Sequence, residues 1–266
     1  FVFYNFIHMV ILQTAERSTH LDSSENVIYQ RHLVAYKQAS KLIHGTVLEI
    51  GSGEGYGMRE LVPNAEKYIG IDKYNTNIPS DLQQSDITFL KAEVPPLSEI
   101  EDVSVDCVVT FQVIEHIYDD ILFLQEIHRV LKPGGKLILT TPNSIMSLTR
   151  NPWHIREYSP DEMTTIIKKF FNNCELYGVF GNNKVMKYYN KNKDAVRKIT
   201  RFDILNMQYW LPRWMLQIPY DILNRFNRHN LHDKEKEIVD AITYKDYDIK
   251  PSANNCLDHF CVATKY

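Results

Sequence analysis

The stretch TVLEIGSGEGYG, residues 46–57, decides the fold of this 266-residue chain. Its first five residues predict a short buried strand, and glycines then recur at positions 51, 53, 55 and 57. A glycine loop directly after a buried strand lets a ligand lie against the backbone, because no Cβ stands in the way. A helix that begins near Tyr56 would direct the partly positive end of its dipole at that ligand.

The spacing of the glycines limits which ligand is expected. The dinucleotide fingerprint G-x-G-x-x-G fails from Gly51, where Tyr56 takes the place of the third glycine, and it fails from Gly53 because of Met58. This failure disfavours a dehydrogenase. The pattern E-x-G-x-G-x-G, in which the acidic residue Glu49 precedes glycines at alternate positions, resembles motif I of the class I S-adenosylmethionine-dependent methyltransferases.

The rest of the chain alternates strand-like and helix-like segments, which is typical of an α/β fold with a parallel sheet and helices on both faces. Strands are predicted at 46–50, 67–71, 87–92, 106–110, 136–141, 174–180 and 259–265, and helices at 26–44, 56–61 and 118–131. The resemblance covers about residues 26–180 and the final strand. It implies a Rossmann-like, doubly wound, mostly parallel seven-stranded sheet with an antiparallel last strand and a helical insertion.

The predicted organisation has three parts. Residues 1–25 form an N-terminal extension, residues 26–181 and 256–266 form the Rossmann-like domain, and residues 182–255 form a helical insertion or lid. The insertion is expected to be helical because a structureless loop of this length is implausible in a compact domain. It is also basic, since residues 184–250 hold 14 Lys/Arg and 9 Asp/Glu. Its aromatic stripe around Trp210 and Trp214 is interpreted as a packed lid core, with a ligand cage as the alternative.

Composition indicates an ordinary soluble enzyme. The net charge of −3 gives the chain as a whole no general attraction to nucleic acid. The four cysteines lack C-x-x-C spacing, which favours buried thiols in a reducing compartment and a cytoplasmic location. The apolar start, FVFYNFIHMVILQ, is shorter than a membrane span and lacks a basic leader region, so a docking segment is expected there.

The cofactor S-adenosylmethionine is expected at the carboxyl ends of the strands. Asp72 ends the second strand about 20 residues past the glycine loop, where a carboxylate can accept ribose hydroxyls; a solvated turn is its alternative. The resemblance places adenine near the end of the third strand and the methionine end near the early helix, where Arg31 could bind the carboxylate or lie on the surface. The predicted cofactor set is Glu49, Gly51, Ser52, Gly53, Gly55, Asp72, Lys73, Ala92, Glu93, Gln112 and Arg31.

Methyl transfer to a hydroxyl needs a base that removes a proton near neutral pH, and histidine suits this role. Glu115 and His116 follow the fourth strand, so they are predicted to be catalytic, with His154 as a reserve base. The alternative is that the Glu-His pair only caps the next helix. Some relatives bind a divalent metal through E-x-x-E-H. Gln112 stands at the first acidic position here, so no metal is predicted.

The segment NPWHIREYS, residues 151–159, resembles a substrate-side loop of small-molecule and sugar-modifying members of the family. Ser159 and Glu162 fit a capping box and are predicted to be structural. Arg156 and Glu157 could instead pair with neighbouring elements and fix the loop. The predicted substrate-binding set is Trp153, His154, Arg156, Tyr158 and Trp210.

The sequence thus predicts an S-adenosylmethionine-dependent methyltransferase that acts on a small molecule, in particular by O-methylation of a sugar, lipid-linked or other metabolite hydroxyl. The basic run in residues 184–201 would suit an anionic or lipid-linked substrate or an anionic membrane surface. One alternative is an RNA methyltransferase, although residues 110–113 lack the Pro-Pro-aromatic segment of amino-methylating enzymes. Another is a non-catalytic protein that binds the cofactor or a partner.

Overall fold

A computed structural model describes residues 22–76, 78–83, 85–201, 203 and 205–266. Most of the predicted N-terminal extension, including the apolar docking segment, therefore lies outside the described residues. The chain divides into two compact units. The sheet unit comprises Arg31–Ser147, Ile155–Asn182 and Tyr244–Tyr266, and the helical unit comprises the described residues up to Gln30, Leu148–His154 and Asn183–Thr243.

The sheet unit contains an eight-stranded sheet in the order β3-β2-β1-β4-β5-β8-β6-β7. Strands β1 to β5 pair in parallel, whereas β8 runs antiparallel to both β5 and β6. The predicted mostly parallel sheet with an antiparallel last strand is confirmed. The strands are β1 Thr46–Ile50, β2 Lys67–Asp72, β3 Ile87–Lys91, β4 Val105–Phe111, β5 Leu131–Pro142, β6 Asn173–Gly181, β7 Tyr247–Pro251 and β8 Asp258–Thr264.

Eight α-helices accompany the strands in the described residues. Helix α1, Asn26–Ala39, contributes residues to both units. Helices of the sheet unit are α2 Met58–Leu61, α3 Asp120–Val130 and α4 Pro160–Ile167. Helices of the helical unit are α5 Asn183–Thr200, α6 Met207–Trp210, α7 Arg213–Lys234 and α8 Lys236–Ala241.

The sheet has one strand more than the seven predicted. Strand β7 lies within the stretch 182–255 that the sequence assigns to the helical insertion, and it pairs antiparallel with β6 at the edge of the sheet. Of its five residues only Tyr247 is buried. Its apolar and polar residues alternate, but over four residues only, which is too short a pattern to predict a strand from the sequence.

Helix α3 shows how the core positions the functional edge. Phe123, Leu124, Ile127 and Val130 recur at helical spacing and are fully buried against the sheet. The Asp119 carboxylate caps the helix start by accepting the Leu122 amide at 2.9 Å. The helix therefore fixes the segment that precedes it, which contains the predicted catalytic pair.

Helix α4 begins at the predicted capping box. The Ser159 amide donates to Glu162 Oε2 at 2.8 Å, and the Glu162 amide donates to Ser159 Oγ at 3.4 Å. This confirms the structural role predicted for both residues.

The helical unit is held by a small apolar core and by polar contacts between α1, α5, α7 and α8. Asn26 donates through Nδ2 to the carbonyls of Val239 and Ile242, at 2.7 and 3.0 Å. Arg228 lies 3.3 Å from Glu25. The buried apolar side chains here include Val27, Val185, Leu231, Val239 and Ile242. Among the described helices, none combines the length and the apolar character needed to cross a membrane.

The buried histidine His259 on β8 leads to a prediction of how stability depends on pH. The ring is buried, its Nε2 donates to the Tyr158 carbonyl at 2.8 Å, and its Nδ1 lies 3.9 Å from Cys256 Sγ. Burial lowers the pKa of His259, and the hydrogen bond to Tyr158 offsets part of this shift. Because the pKa of His259 is lower in the folded than in the unfolded chain, acid protonates the histidine of the unfolded chain at a higher pH. The neutral, buried ring therefore contributes to the free energy of unfolding above about pH 6.5, and this contribution is lost as the pH falls.

We therefore expect the unfolding free energy of the wild type to fall by about 1 kcal/mol more than that of His259→Gln between pH 7.5 and 5.5. Glutamine can keep the bond to the Tyr158 carbonyl but does not titrate. Urea unfolding at both pH values measures the difference. Parallel losses in the two proteins would contradict the prediction.

Candidate functional site

The glycine loop after β1 lies at the carboxyl edge of the parallel strands. The Gly51 amide donates to the Ile71 carbonyl at 2.7 Å, which ties the loop to β2. Gly53 has φ +56°, and a Cβ built on it would meet no heavy atom within 4 Å. Open space beside a left-handed glycine is what a closely approaching ligand needs. The loop differs at Gly57, where a Cβ would lie 2.2 Å from the Tyr36 ring, so that glycine serves packing.

Asp72 joins the end of β2 to this loop. Its Oδ2 accepts the Gly53 amide at 2.8 Å, and its Oδ1 accepts the Tyr74 amide at 2.9 Å. Thr76 Oγ1 donates to the Gly53 carbonyl at 2.8 Å and lies 3.2 Å from Ser52 Oγ. The predicted residues Ser52, Gly53 and Asp72 thus form one hydrogen-bonded group. The neighbouring Lys73 places its Nζ 5.2 Å from the centre of the Tyr74 ring.

Glu49 on β1 is buried, and hydroxyl groups engage both of its carboxylate oxygens. The Tyr36 hydroxyl donates to Oε1 at 2.6 Å, and the Tyr68 hydroxyl donates to Oε2. Burial raises the pKa of Glu49, while these two hydrogen bonds act in the opposite direction. Burial and the nearby Glu49 carboxylate raise the pKa of both tyrosines, so both remain protonated donors. Glu49 therefore links α1, β1 and β2 beneath the glycine loop.

The predicted adenine end has a small cavity of about 110 Å³. Ala92 and Glu93 lie at the end of β3, and both line this cavity together with Ile71 and Leu97. The Ala92 amide donates to the Asp72 carbonyl at 3.1 Å, which places the cavity beside the ribose-binding candidate. That adenine binds here remains a prediction.

Gln112 follows β4 with φ +56°, a backbone conformation uncommon for a residue with a side chain. Its amide donates to the Thr140 carbonyl at 2.9 Å, and its Nε2 donates to Thr140 Oγ1 at 3.2 Å. A residue held in this region costs on the order of 1–3 kcal/mol and is concentrated at functional sites. This supports the inclusion of Gln112 in the site.

Arg31 on α1 lies beside a buried carboxylate. Its Nε is 3.0 Å from Asp258 Oδ2 at the start of β8. The sequence predicts that Arg31 binds the cofactor carboxylate, and the structure adds Asp258 as a competing partner. That partner was missed because Asp258 is more than two hundred residues away along the chain.

Glu115 and His116 occupy a short 3-10 turn, Ile114–His116, which begins two residues after Gln112. Glu115 is buried and accepts the Thr141 hydroxyl at 2.9 Å, and its carbonyl accepts the Ile155 amide at 2.6 Å. His116 is half-buried. A carboxylate oxygen of Glu115 and a ring nitrogen of His116 lie within 4.8 Å of each other. The pair is thus held between the carboxyl ends of β4 and β5.

The substrate-binding candidates are divided between the two units. Arg156 and Tyr158 belong to the sheet unit, and both contact Asp120 Oδ2, at 2.9 and 2.8 Å. Arg156 is 60% exposed, whereas Tyr158 is buried in the core. The position of Tyr158 contradicts the expectation that it lines an open pocket, because its hydroxyl is turned inward to Asp120.

The other three candidates belong to the helical unit. Trp153 donates through Nε1 to Asp221 at 2.9 Å, and His154 Nε2 lies 2.9 Å from Asn151 Nδ2. Trp210 is 62% exposed and Trp214 is 72% exposed. The interpretation of this aromatic stripe as a packed lid core is therefore wrong.

The sequence did not identify several buried polar residues around the edge. Thr141 supports Glu115, Asp120 holds the 156–158 segment, and Asn143 donates to the carbonyls of Asn254 and Cys256 at 3.0 and 2.8 Å. In the sequence, these residues can be noticed only as polar residues at the end of a strand or helix, next to a long apolar run. The nucleoside of S-adenosylmethionine fits this edge, since a carboxylate lies beside open space at Gly53.

Comparisons with known proteins identify relatives of this chain. A family profile described as a methyltransferase domain matches residues 48–139. A probable S-adenosylmethionine-dependent methyltransferase of Mycolicibacterium smegmatis is 35% identical over 182 residues, which cover 63% of this chain and 68% of that protein. The mouse mitochondrial ubiquinone biosynthesis O-methyltransferase is 33% identical over 107 residues, which cover 36% of this chain and 28% of that protein.

A solved structure shares the fold. The S-adenosylmethionine-dependent methyltransferase of Thermotoga maritima, described as a possible histamine N-methyltransferase, has a TM-score of 0.53 and 17% identity, with 91% of this chain and 92% of that chain covered. Such low identity bears on the fold alone. The fold, the glycine loop with its carboxylate and the similarity to the Mycolicibacterium protein together identify the family: the chain belongs to the S-adenosylmethionine-dependent methyltransferases.

Proposed function

We propose that this methyltransferase acts on a hydroxyl group of a small molecule, with His116 as the general base. The observation that carries the proposal is the position of His116 at the ends of β4 and β5, beside the buried carboxylate of Glu115. S-adenosylmethionine, when bound, supplies a methyl group activated by its sulfonium charge. The protein must then align the acceptor oxygen and remove its proton.

Each residue of the pair has a role in this proposal. A ring nitrogen of His116 takes the hydroxyl proton as the oxygen acquires the methyl group. Glu115 orients the ring and stabilises its protonated form, and Thr141 keeps the carboxylate in place. The name of the mouse relative, an O-methyltransferase, supports oxygen as the acceptor atom.

We also propose the cofactor contacts. Asp72 accepts the ribose hydroxyls, and the Gly51, Gly53 and Gly55 backbone borders the nucleoside together with Ser52. Ala92 and Glu93 border adenine. Arg31 binds the methionine carboxylate, and Gln112 lies close to the sulfur. Glu49 supports the loop from below through its two tyrosine partners.

The test compares His116→Asn with the control His128→Asn, a half-buried histidine of α3 outside the site. Release of S-adenosylhomocysteine is measured over a panel of phenols, catechols, sugars and amines. We expect His116→Asn to lower kcat about 100-fold or more on a hydroxyl acceptor. Cofactor affinity should be unchanged, and the control should keep the wild-type rate. Equal kcat for both variants, or turnover of amines alone, would refute the proposal.

A further inference from the structure

Helix α7 presents apolar side chains to solvent over its first four turns. Trp214, Ile218, Ile222 and Phe226 recur every fourth residue and are 53–72% exposed, so they line one side of the helix. Met215 and Leu223 widen this side. We name as the outer apolar face the exposed set Leu205, Met207, Tyr209, Trp210, Trp214, Met215, Ile218, Ile222, Leu223 and Phe226.

Two polar residues of the same helix are buried and hydrogen-bonded. Asp221 is buried and accepts the Trp153 indole N–H at 2.9 Å. Asn227 is buried and donates to Asn192 at 2.8 Å. A helix on the surface of a soluble protein normally has the reverse arrangement, with apolar residues inside and polar residues outside. Rotation of α7 to hide the apolar side would break these polar contacts.

The number of exposed apolar side chains in this segment favours a partner. Scattered exposed apolar residues are normal, but ten of them between positions 205 and 226 are typical of an interaction surface. Four of the ten are aromatic, and three of these are Tyr or Trp. Tyrosine and tryptophan are favoured where an apolar phase meets water, because each has an apolar ring and a polar group.

The charges around the outer apolar face favour an anionic partner. Asp221 is the single acidic residue between positions 205 and 226, and it is buried. Arg197, Lys198 and Arg201 are exposed at the end of α5, just before the outer apolar face begins in the chain. Between positions 184 and 228 the sequence has ten Lys/Arg and three Asp/Glu.

We propose that the outer apolar face docks on an anionic lipid surface, with α7 lying in the plane of the interface. An apolar side rich in aromatic residues, flanked by lysine and arginine, is the pattern of helices that lie on membranes without crossing them. The apolar side chains would enter the boundary between headgroups and acyl chains. The basic end of α5 would face the lipid phosphates.

The experiment uses the full chain and vesicles of phosphatidylcholine, with and without about 30% phosphatidylglycerol. Co-sedimentation is measured for the wild type, for Trp214→Glu/Ile218→Glu, and for a control, Tyr266→Glu. Tyr266 is 78% exposed in the sheet unit, so the control places a single glutamate at an exposed aromatic position outside the outer apolar face. A further variant, Arg197→Glu/Lys198→Glu, tests the electrostatic contribution.

We expect the wild type and the control to bind the anionic vesicles. The affinity of the Trp214/Ile218 variant for these vesicles should be lower by roughly tenfold or more. The Arg197/Lys198 variant should lose the preference for phosphatidylglycerol. Circular dichroism should be unchanged, since the substituted side chains are exposed. The proposal is overturned if the wild type sediments with neither vesicle, or if the Trp214/Ile218 variant binds as the wild type does. It is also overturned if size-exclusion chromatography shows that the outer apolar face joins two copies of the chain.

Discussion

Asp72→Asn is expected to weaken S-adenosylmethionine binding about 100-fold, as the loss of two charge-assisted hydrogen bonds implies. The carboxylate stands at the end of β2, where a ribose would present its hydroxyls, and it already binds the Gly53 amide. Asparagine keeps the size of the side chain but offers a single neutral acceptor. Isothermal titration with the cofactor gives the dissociation constant directly.

The matched control is Asp81→Asn. Asp81 follows the same strand, is exposed, and lies 3.2 Å from Arg59 in a surface ion pair. Such pairs contribute little to stability, so cofactor affinity should stay within about twofold of the wild type. If both variants bound the cofactor as the wild type does, Asp72 would have no part in cofactor binding. If circular dichroism showed that Asp72→Asn does not fold, Asp72→Glu would serve as the second variant, since it keeps the negative charge.

Gly57→Ala is expected to destabilise the chain by about 3 kcal/mol, which lowers the melting temperature by roughly 10 °C. The added Cβ would lie 2.2 Å from the Tyr36 ring. That ring is buried, packs edge-on against Phe111 at 4.7 Å between centroids, and donates its hydroxyl to Glu49. Tyr36 therefore cannot move aside without leaving a buried carboxylate short of a donor.

Gly134→Ala separates this steric effect from backbone strain. Gly57 has φ −67°, which alanine adopts freely, so Gly57→Ala adds a clash without strain. Gly134 has φ +80° and no heavy atom within 4 Å of a Cβ position, so its alanine variant adds strain without a clash. We expect a loss of about 1 kcal/mol there. Thermal unfolding of both variants provides the comparison, and a smaller loss for Gly57→Ala than for Gly134→Ala would contradict the packing argument.

Local patterns predicted the sheet well. Strand β1 spans the predicted residues, and β2, β3 and β4 differ by a residue at one or both ends. Buried parallel strands carry dense apolar runs bounded by polar or glycine residues, and such runs can be read from neighbouring positions alone. The early helix was predicted to end at residue 44 but ends at Ala39. Apolar residues continue past its end, and sequence periodicity alone cannot show that they lie in a turn.

The site was less accessible from the sequence because its contacts join distant residues. The partners of Glu49 are Tyr36 and Tyr68, and the partner of Arg31 is Asp258. None of these pairs shares a motif, so topology alone brings them together. The sequence also gave no sign that α7 turns its apolar side outward, because hydrophobic periodicity reveals that a helix has an apolar side but not which way it faces.

The bond between the Gly53 amide and Asp72 has a consequence for ligand capture. A main-chain donor on each oxygen already fixes the torsion angles of this carboxylate, since Tyr74 restrains the second one. If Asp72 accepts ribose hydroxyls as we propose, an incoming pair of vicinal hydroxyls would meet an acceptor with little rotational freedom left to lose. The carboxylate would then lose most of its conformational entropy when the chain folds, so that little of the binding free energy would be needed to order it.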